Sequence, residues 1–180
     1  MTMPSLRSGR LWLRPVTSAD MGRIVSLVGN FQVVRNLGRV PHPYTMADAK
    51  WWVNQTAAFQ EDGERAVAID DGTGMIGAVS LGSPGEQASL GYWLGEPYWG
   101  SGYMSEAVGT LVDWFFKTSG ETEILSSALD ENTGSIKVLT KTGFKAAGPK
   151  PLFIPSRAKT LPATAFRLQR SDFERRKTAA

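Results

Sequence analysis

The chain has 180 residues, 42% of them hydrophobic and 21% charged, a balance that fits one folded domain and excludes a disordered segment. It has no cysteine and one histidine, His42, which removes disulfides, a thiolate nucleophile, a zinc helix with paired histidines and most routes to a Ser-His-Asp relay. The net charge of +3 is uneven: residues 132–171 hold eight basic side chains and no acid, +8 there against −5 elsewhere, a field suited to an anionic ligand. The apolar runs fall short of the roughly 18 residues a membrane span needs, and the N-terminus lacks the apolar core of a leader. The expectation is a cytoplasmic protein that contacts no membrane and holds no metal.

In chain order, residues 10–16 (RLWLRPV) alternate and end at proline, as a strand does. A short helix opens at Ser18 or Asp20 and runs to about residue 28, followed by a loop over 29–44 that closes with Pro41-His42-Pro43-Tyr44. Thr45, with Asp48 three residues on, starts a second helix reaching to about residue 60 and burying Ala49, Trp52, Val53 and Thr56. Strands over 65–69, 75–81 and 87–94, with turns at 70–74 and 83–86, form an antiparallel meander. Residues 103–117 carry apolar side chains at helical spacing, 124–129 read as a strand, and 133–142 as a helix between Asn132 and Gly143. Strands return from Phe144 and over 163–169, before a charged tail at 171–180. The sum is α+β: one mostly antiparallel mixed sheet of six to seven strands, helices on both faces, in a single domain whose ordered core spans about 10–170.

The informative stretch is LGYWLGEPYWGSGYMSE at 90–106, where a buried strand hands over to a helix through Gly100-Ser101-Gly102. Glycines let the backbone take positive φ, and the free amides of a helix start attract anions. No Gly-Lys-Ser/Thr follows, so it is not a Walker loop; Ser105 stands where a dinucleotide fingerprint needs its third glycine.

With ENTGSIKVLTKTGF at 131–144, PYTMADAKWW upstream and FRLQRSDFERR downstream, the chain resembles the GNAT superfamily of acyl-CoA N-acyltransferases, closest to its RimJ/RimL-like branch. Pro97 departs from the Gln or Arg that opens the family's glycine loop. The resemblance implies acetyl-CoA as co-substrate and no metal. Its diphosphate would lie on the amides of Trp99, Gly100, Ser101, Gly102, Tyr103 and Met104, and its pantetheine arm would run along Trp93 and Leu94 between two central parallel strands that splay apart. Asn132 would contact the arm, and Lys137 and Lys141 the 3′-phosphate. The implied reaction moves an acetyl group to a primary amine, on a protein N-terminus or a small molecule. Without cysteine, it proceeds by direct attack in a ternary complex.

An amide within Tyr92–Leu94, that of Tyr92 or Leu94, is the candidate oxyanion donor. Leu139 occupies the position of the family's proton-donating tyrosine, which leaves the Ser135 hydroxyl. Ser89 replaces a glutamate common in relatives, so the base candidates are Glu96, Asp130, Glu131, His42 or a water relay. The loops at 36–44 and 149–159 would build the acceptor pocket, with His42, Tyr44 and Glu96 beside it. Trp51, Trp52, Trp114, Phe115 and Phe116 read as core. The competing readings are a catalytically silent acyl-CoA-binding module and, less favoured, a nucleic-acid-binding domain. A homodimer is compatible with the sequence and not demanded by it.

Overall fold

Residues 5–57, 65–82 and 87–178 are described by a computed structural model of the protein. Five strands, β1 (Leu6–Arg7), β2 (Trp12–Pro15), β3 (Arg65–Asp70), β4 (Met75–Leu81) and β5 (Leu90–Leu94), form an antiparallel sheet in that order. The β3–β4 turn is set by Asp70, whose Oδ1 accepts from the amides of Gly72 (2.8 Å) and Gly74 (3.2 Å). A second antiparallel sheet takes β6 (Glu123–Leu129), β10 (Ala163–Gln169) and β7 (Lys145–Pro149) in spatial order, and β8 (Leu152–Ile154) pairs with β9 (Lys159–Leu161) as a hairpin.

Both faces of the larger sheet are covered, which is why β3 and β4 are buried almost end to end. On one face lies α4 (Tyr103–Thr118), whose Met104, Ala107, Val108, Leu111, Val112 and Phe115 pack with Val67, Val79, Leu90 and Leu94. On the other, α1 (Met21–Val28) and α3 (Met46–Ala57) press Ile24, Val28, Ala49 and Val53 onto Ala68, Met75 and Ala78. The remaining α-helices among the described residues are α2 (Phe31–Val34), α5 (Thr133–Thr142) and α6 (Arg170–Thr178). Among the described residues, no helix is long and apolar enough to cross a membrane.

Arg14 on β2 ties the sheet to the start of α1. Its guanidinium grips Asp20 through both terminal nitrogens (2.9 and 2.8 Å), while Nε donates to Asp70 (2.9 Å). The three side chains are only 15%, 6% and 11% exposed. Burial alone would raise the two carboxyl pKa values. At Asp20 the Arg14 bonds and the Thr17 amide outweigh it, and at Asp70 the Gly72 amide and Arg14 do the same, so both lie below the usual carboxylate range.

The α+β class stands, but the sheet topology corrects the expectation. Among the described residues there is no single mixed sheet with two central parallel strands: every ladder is antiparallel, in sheets of five, three and two strands. Among the described residues, the β5 and β6 segments share one isolated backbone bridge of parallel sense, between Ser89, just ahead of β5, and Leu125. One residue further, the carbonyl of Leu90 is taken by the Ser126 hydroxyl (2.9 Å) instead of a backbone amide, so no ladder grows. Three further elements differ. The loop at 29–44 contains α2, with Asn30 as its N-cap, and the segment at 149–159 is the β8–β9 hairpin. The charged tail is α6, docked by Phe173 against Phe116 and by Arg170, which donates to the carbonyls of Phe116, Ser119 and Glu121 where α4 ends. Trp51 is 64% exposed and not core; Phe115 and Phe116 are buried. The expected turn at 83–86 and the end of the helix at residue 60 lie outside the described residues.

Candidate active site

Where the two larger sheets part, a cleft of about 710 Å³ runs between β5 and the end of β6. Hydrogen bonds from Gly95 N to Ile76 O (2.9 Å) and from Gly82 N to Ser89 O (2.7 Å) fix the alternation of the β4–β5 ladder. Residues 89, 91, 93 and 95 therefore face β4, and Tyr92 and Leu94 turn their amides and carbonyls to the open edge. Two carbonyls of that edge are used: Leu90 O by Ser126, and Leu94 O by the indole Nε1 of Trp99 (2.8 Å). The amides of Tyr92 and Leu94 and the carbonyl of Tyr92 remain directed into the cleft, and the amide of Trp93 is committed to β4.

Side chains alternate in the same way. Tyr92 belongs to the core under α4, and Trp93 to the core under α1 and α3, so the cleft opens toward both faces of the sheet. The hydroxyl of Tyr92 lies 2.8 Å from Ser135 Oγ and donates to Ser135 O at 3.2 Å. Burial pushes the phenol pKa up to about 12, against a smaller opposing effect of the Ser135 bond, so Tyr92 is protonated throughout the neutral range.

The glycine turn closes one end. Gly100 (φ 76°) and Gly102 (φ 79°) are both left-handed, a conformation that side chains disfavour by roughly 1–2 kcal/mol. Gly102 is the N-cap of α4 and has no side chain to accept a bond. The first intrahelical amide bond is that of Glu106, to Gly102 O (3.1 Å), so the amides of Tyr103, Met104 and Ser105 precede it. Other helices are capped by their own residues: α2 by Asn30, α3 by the Thr45–Asp48 pair and α5 by Asn132, whose Oδ1 accepts from Ser135 N at 3.1 Å. The amide of Trp99 is spent on Glu96 O (3.1 Å).

Behind the turn, and sharing Gly102 and Ser105 with the cleft, is a second hollow of about 560 Å³. Arg10, Lys141, Arg176 and Lys177 line it, with Glu106 as the acid among them. Arg10 stacks over Tyr103 (4.6 Å) and pairs with Glu106 at 2.9 Å; Glu106 also accepts from Ser8 Oγ and Arg10 N.

Of the residues singled out from sequence, the cleft gathers Tyr92, Trp93, Leu94, Trp99, Gly100, Gly102, Tyr103, Met104, Asn132, Ser135 and Lys137, while Ser101 and Lys141 line the hollow behind it. His42, Tyr44 and Glu96 are not brought in. His42 is an exposed ring against Phe31 (5.5 Å), and Glu96 accepts from Asn30 Nδ2 (2.5 Å). Tyr44 packs in the core under α1 and α3, where burial raises its pKa to about 12. Among base candidates only Glu131 lines the cleft, and it is paired with Arg157 and Arg35. Sequence reading missed Gln32, Arg35, Arg10 and the Tyr92 side chain, whereas Asn36 and Arg157 fall within the loops expected to build the acceptor pocket. An N-cap Asn30 ahead of Phe31-x-Val33-Val34 is a local signal for α2; Arg10 and Arg157 depend on distant partners and leave none.

Residues 10–145 match the family described as acetyltransferase (GNAT) domain. The chain is 35% identical over 79 residues to an uncharacterized N-acetyltransferase p20 of Bacillus licheniformis. That stretch spans 44% of each protein, so the chain covers less than half of this curated relative. In fold it is similar to the ribosomal-protein-S5-alanine acetyltransferase of Vibrio fischeri (TM-score 0.79, 21% identity, 95% of this chain and 99% of that one). It is also similar to Mycobacterium smegmatis RimJ in complex with CoA-disulfide (TM-score 0.80, 17% identity, 94% and 88%). A family match that runs from the strand holding Arg14 through the glycine turn to the end of α5 places this chain in the GNAT acetyltransferase family.

Proposed function

We propose that the protein is an acetyl-CoA-dependent N-acetyltransferase that acetylates a primary amine by direct attack in a ternary complex, and that it belongs to the RimJ/RimL-like branch. The observation that carries this reading is the conjunction of an uncapped α4 N-terminus with an unpaired β5 edge, both opening into one cleft. An extended amide-bearing arm ending in a diphosphate matches both: three helix-start amides for the anion, and the Tyr92 and Leu94 amides with the Tyr92 carbonyl for the arm. Asn132 and Lys137 stand beside the arm's path. Lys141, Arg10 and Arg176 give the second hollow the charge for a terminal phosphate.

Acetyl-CoA supplies a thioester, an acyl group already activated toward nitrogen. The chain's residues then have two tasks. The Leu94 or Tyr92 amide donates to the carbonyl oxygen as negative charge builds on it. Ser135 Oγ donates toward the departing sulfur, and the Tyr92 hydroxyl at 2.8 Å turns its proton from Ser135 O to Ser135 Oγ as it does so. The proton lost by nitrogen balances the one sulfur gains. Glu131, the sole acid lining the cleft among the described residues, is held below the usual carboxylate range, chiefly by Arg157, and is a poor base. The amine must therefore arrive uncharged, and kcat/KM is expected to rise with pH until the acceptor's own ammonium is titrated. A steady-state profile with two acceptors of different pKa tests this. Profiles that coincide would show an enzyme base instead.

The cofactor assignment is tested by Gly102→Val. Strain at φ 79° and a branched side chain in the turn are expected to weaken CoA binding about tenfold, or about 1.4 kcal/mol. Calorimetric titration reads the change, and an unaltered Kd removes the glycine turn from the site. Thiol release from acetyl-CoA with a panel of amines separates an enzyme from a silent acyl-CoA binder.

A further inference from the structure

The end of the cleft away from the glycine turn is built by elements that sequence reading left as loops. Arg35 follows α2, and Arg157 closes a single 3-10 turn, Pro155–Arg157, at the tip of the β8–β9 hairpin. The hairpin is anchored rather than loose. Ile154 is fully buried in a small apolar cluster with Leu129 and Ala163, and Ser156 Oγ donates to the carbonyl of Val34 (3.2 Å), stitching the tip to α2. Ala158, a non-glycine residue at φ 48°, ends the turn. Both guanidinium groups converge on Glu131: Arg35 Nη2 lies 3.3 Å from its Oε1, and Arg157 Nη1 donates to the same oxygen. Arg35 and Glu131 line the cleft together with Gln32 and Asn36. The neighbouring acid, Asp130, accepts instead from Thr164 of β10 (2.8 Å).

Together Arg35, Arg157 and Glu131 carry one net positive charge, and Arg35 is the guanidinium that lines the cleft, with Arg157 behind it and Asp130 outside the lining. Each guanidinium is a planar fork of five donors, matched to carboxylate geometry. Arg157 is only 20% exposed, so its charge is less screened by solvent than that of a surface arginine. A second carboxylate would complete the charge balance, and a cationic chain would be repelled. A nearby positive charge also disfavours protonation of an incoming amine, which helps a cleft without a free base.

We propose that Arg35 and Arg157, held against Glu131, form the acceptor-recognition site and select an amine that also carries a carboxylate. This rests on the acetyl-transfer reading and names its acceptor class. A free amino acid and an acidic peptide N-terminus present the same chemistry, and the test separates them.

Thiol release is measured with matched pairs: glycine against glycinamide, β-alanine against its amide, a C-terminally amidated Ser-Glu-Glu peptide against amidated Ser-Gln-Gln, and spermidine as a cationic counterpart. The carboxylate member of a pair is expected to show kcat/KM about tenfold above its neutral partner, with spermidine the poorest. Preference confined to the small pairs points to a metabolite, and preference confined to the peptides to a protein N-terminus. Arg35→Gln and Arg157→Gln should each bring that ratio toward one while KM for acetyl-CoA is retained. Equal or better use of the neutral or cationic acceptors overturns the inference. So does a ratio unmoved by both substitutions, or an absence of turnover with every pair while CoA still binds. Failure of CoA to bind at all would instead overturn the acetyl-transfer reading.

Discussion

Ser135→Ala is expected to lower kcat by about 10²-fold with little change in KM for acetyl-CoA, the size of effect a positioned proton donor supplies. The substitution is structurally mild. Position 135 lies in the first turn of α5, alanine is a good helix former, and the Asn132 cap bonds the backbone amide of residue 135 rather than its side chain. Tyr92 stays satisfied through the carbonyl of residue 135, so no buried hydroxyl is orphaned. Tyr92→Phe should lower kcat less, because Ser135 would remain. The double variant should be no slower than Ser135→Ala alone if the two hydroxyls act as one relay. Stopped-flow release of thiol, with melting temperatures as a check on folding, decides the matter. Rates within twofold of the parent for Ser135→Ala would remove the pair from the mechanism.

Arg14→Met should cost about 3–5 kcal/mol at neutral pH, since it strands Asp20 and Asp70 close together in a largely buried setting. Both carboxyl groups have folded-state pKa values below the unfolded reference of about 3.9. Their contribution is therefore complete above that reference and lost as pH falls through the folded values. The gap between parent and variant should be widest above pH 5 and narrow in more acid solution, as the stranded carboxylates take up protons. Urea titrations at several pH values measure it. A gap independent of pH would mean that lost packing of the arginine stem, and not charge, accounts for the cost. Arg14 lines neither the cleft nor the hollow, so KM for acetyl-CoA should hold wherever the variant remains folded.

What could be read from sequence tracks how local the signal was. The helix at 133–142 has Asn132 at one end and Gly143, at φ 103°, at the other, and its limits come out as expected. The strand at 163–169, which alternates from Phe166 to Gln169, does so too. α2 is a single turn, too short for any periodicity to show, and β8 and β9 are three residues each. α6 has no apolar stripe; Phe173 and Arg170 hold it against α4, contacts some fifty residues distant in sequence. The expected parallel pairing came from likeness to a family rather than from the pattern of these strands, and the structure replaces it with antiparallel sheets that touch at Ser89 and Leu125.

The candidate site divides along the same line. The glycine turn, Asn132 and Ser135 are near neighbours in sequence of the elements that place them. The acceptor end is assembled from segments about a hundred residues apart, and no local pattern links Arg35 to Glu131. Adjacency misleads at Glu96, next to the turn in sequence but occupied with Asn30, and at His42, which lies on the outside of α2.

The open rim of β5 has a bearing on solubility. A strand border with unsatisfied main-chain groups invites a foreign chain to add itself, the first step toward aggregation. Here the Ser126 hydroxyl and the Trp99 indole blunt it at both ends, so only a short window about Tyr92 stays available. A slender ligand can lie along so brief a stretch, while a polypeptide would find too few partners to stay registered. The two plugs thus let the protein keep a sticky border for its chemistry without becoming a template for its neighbours.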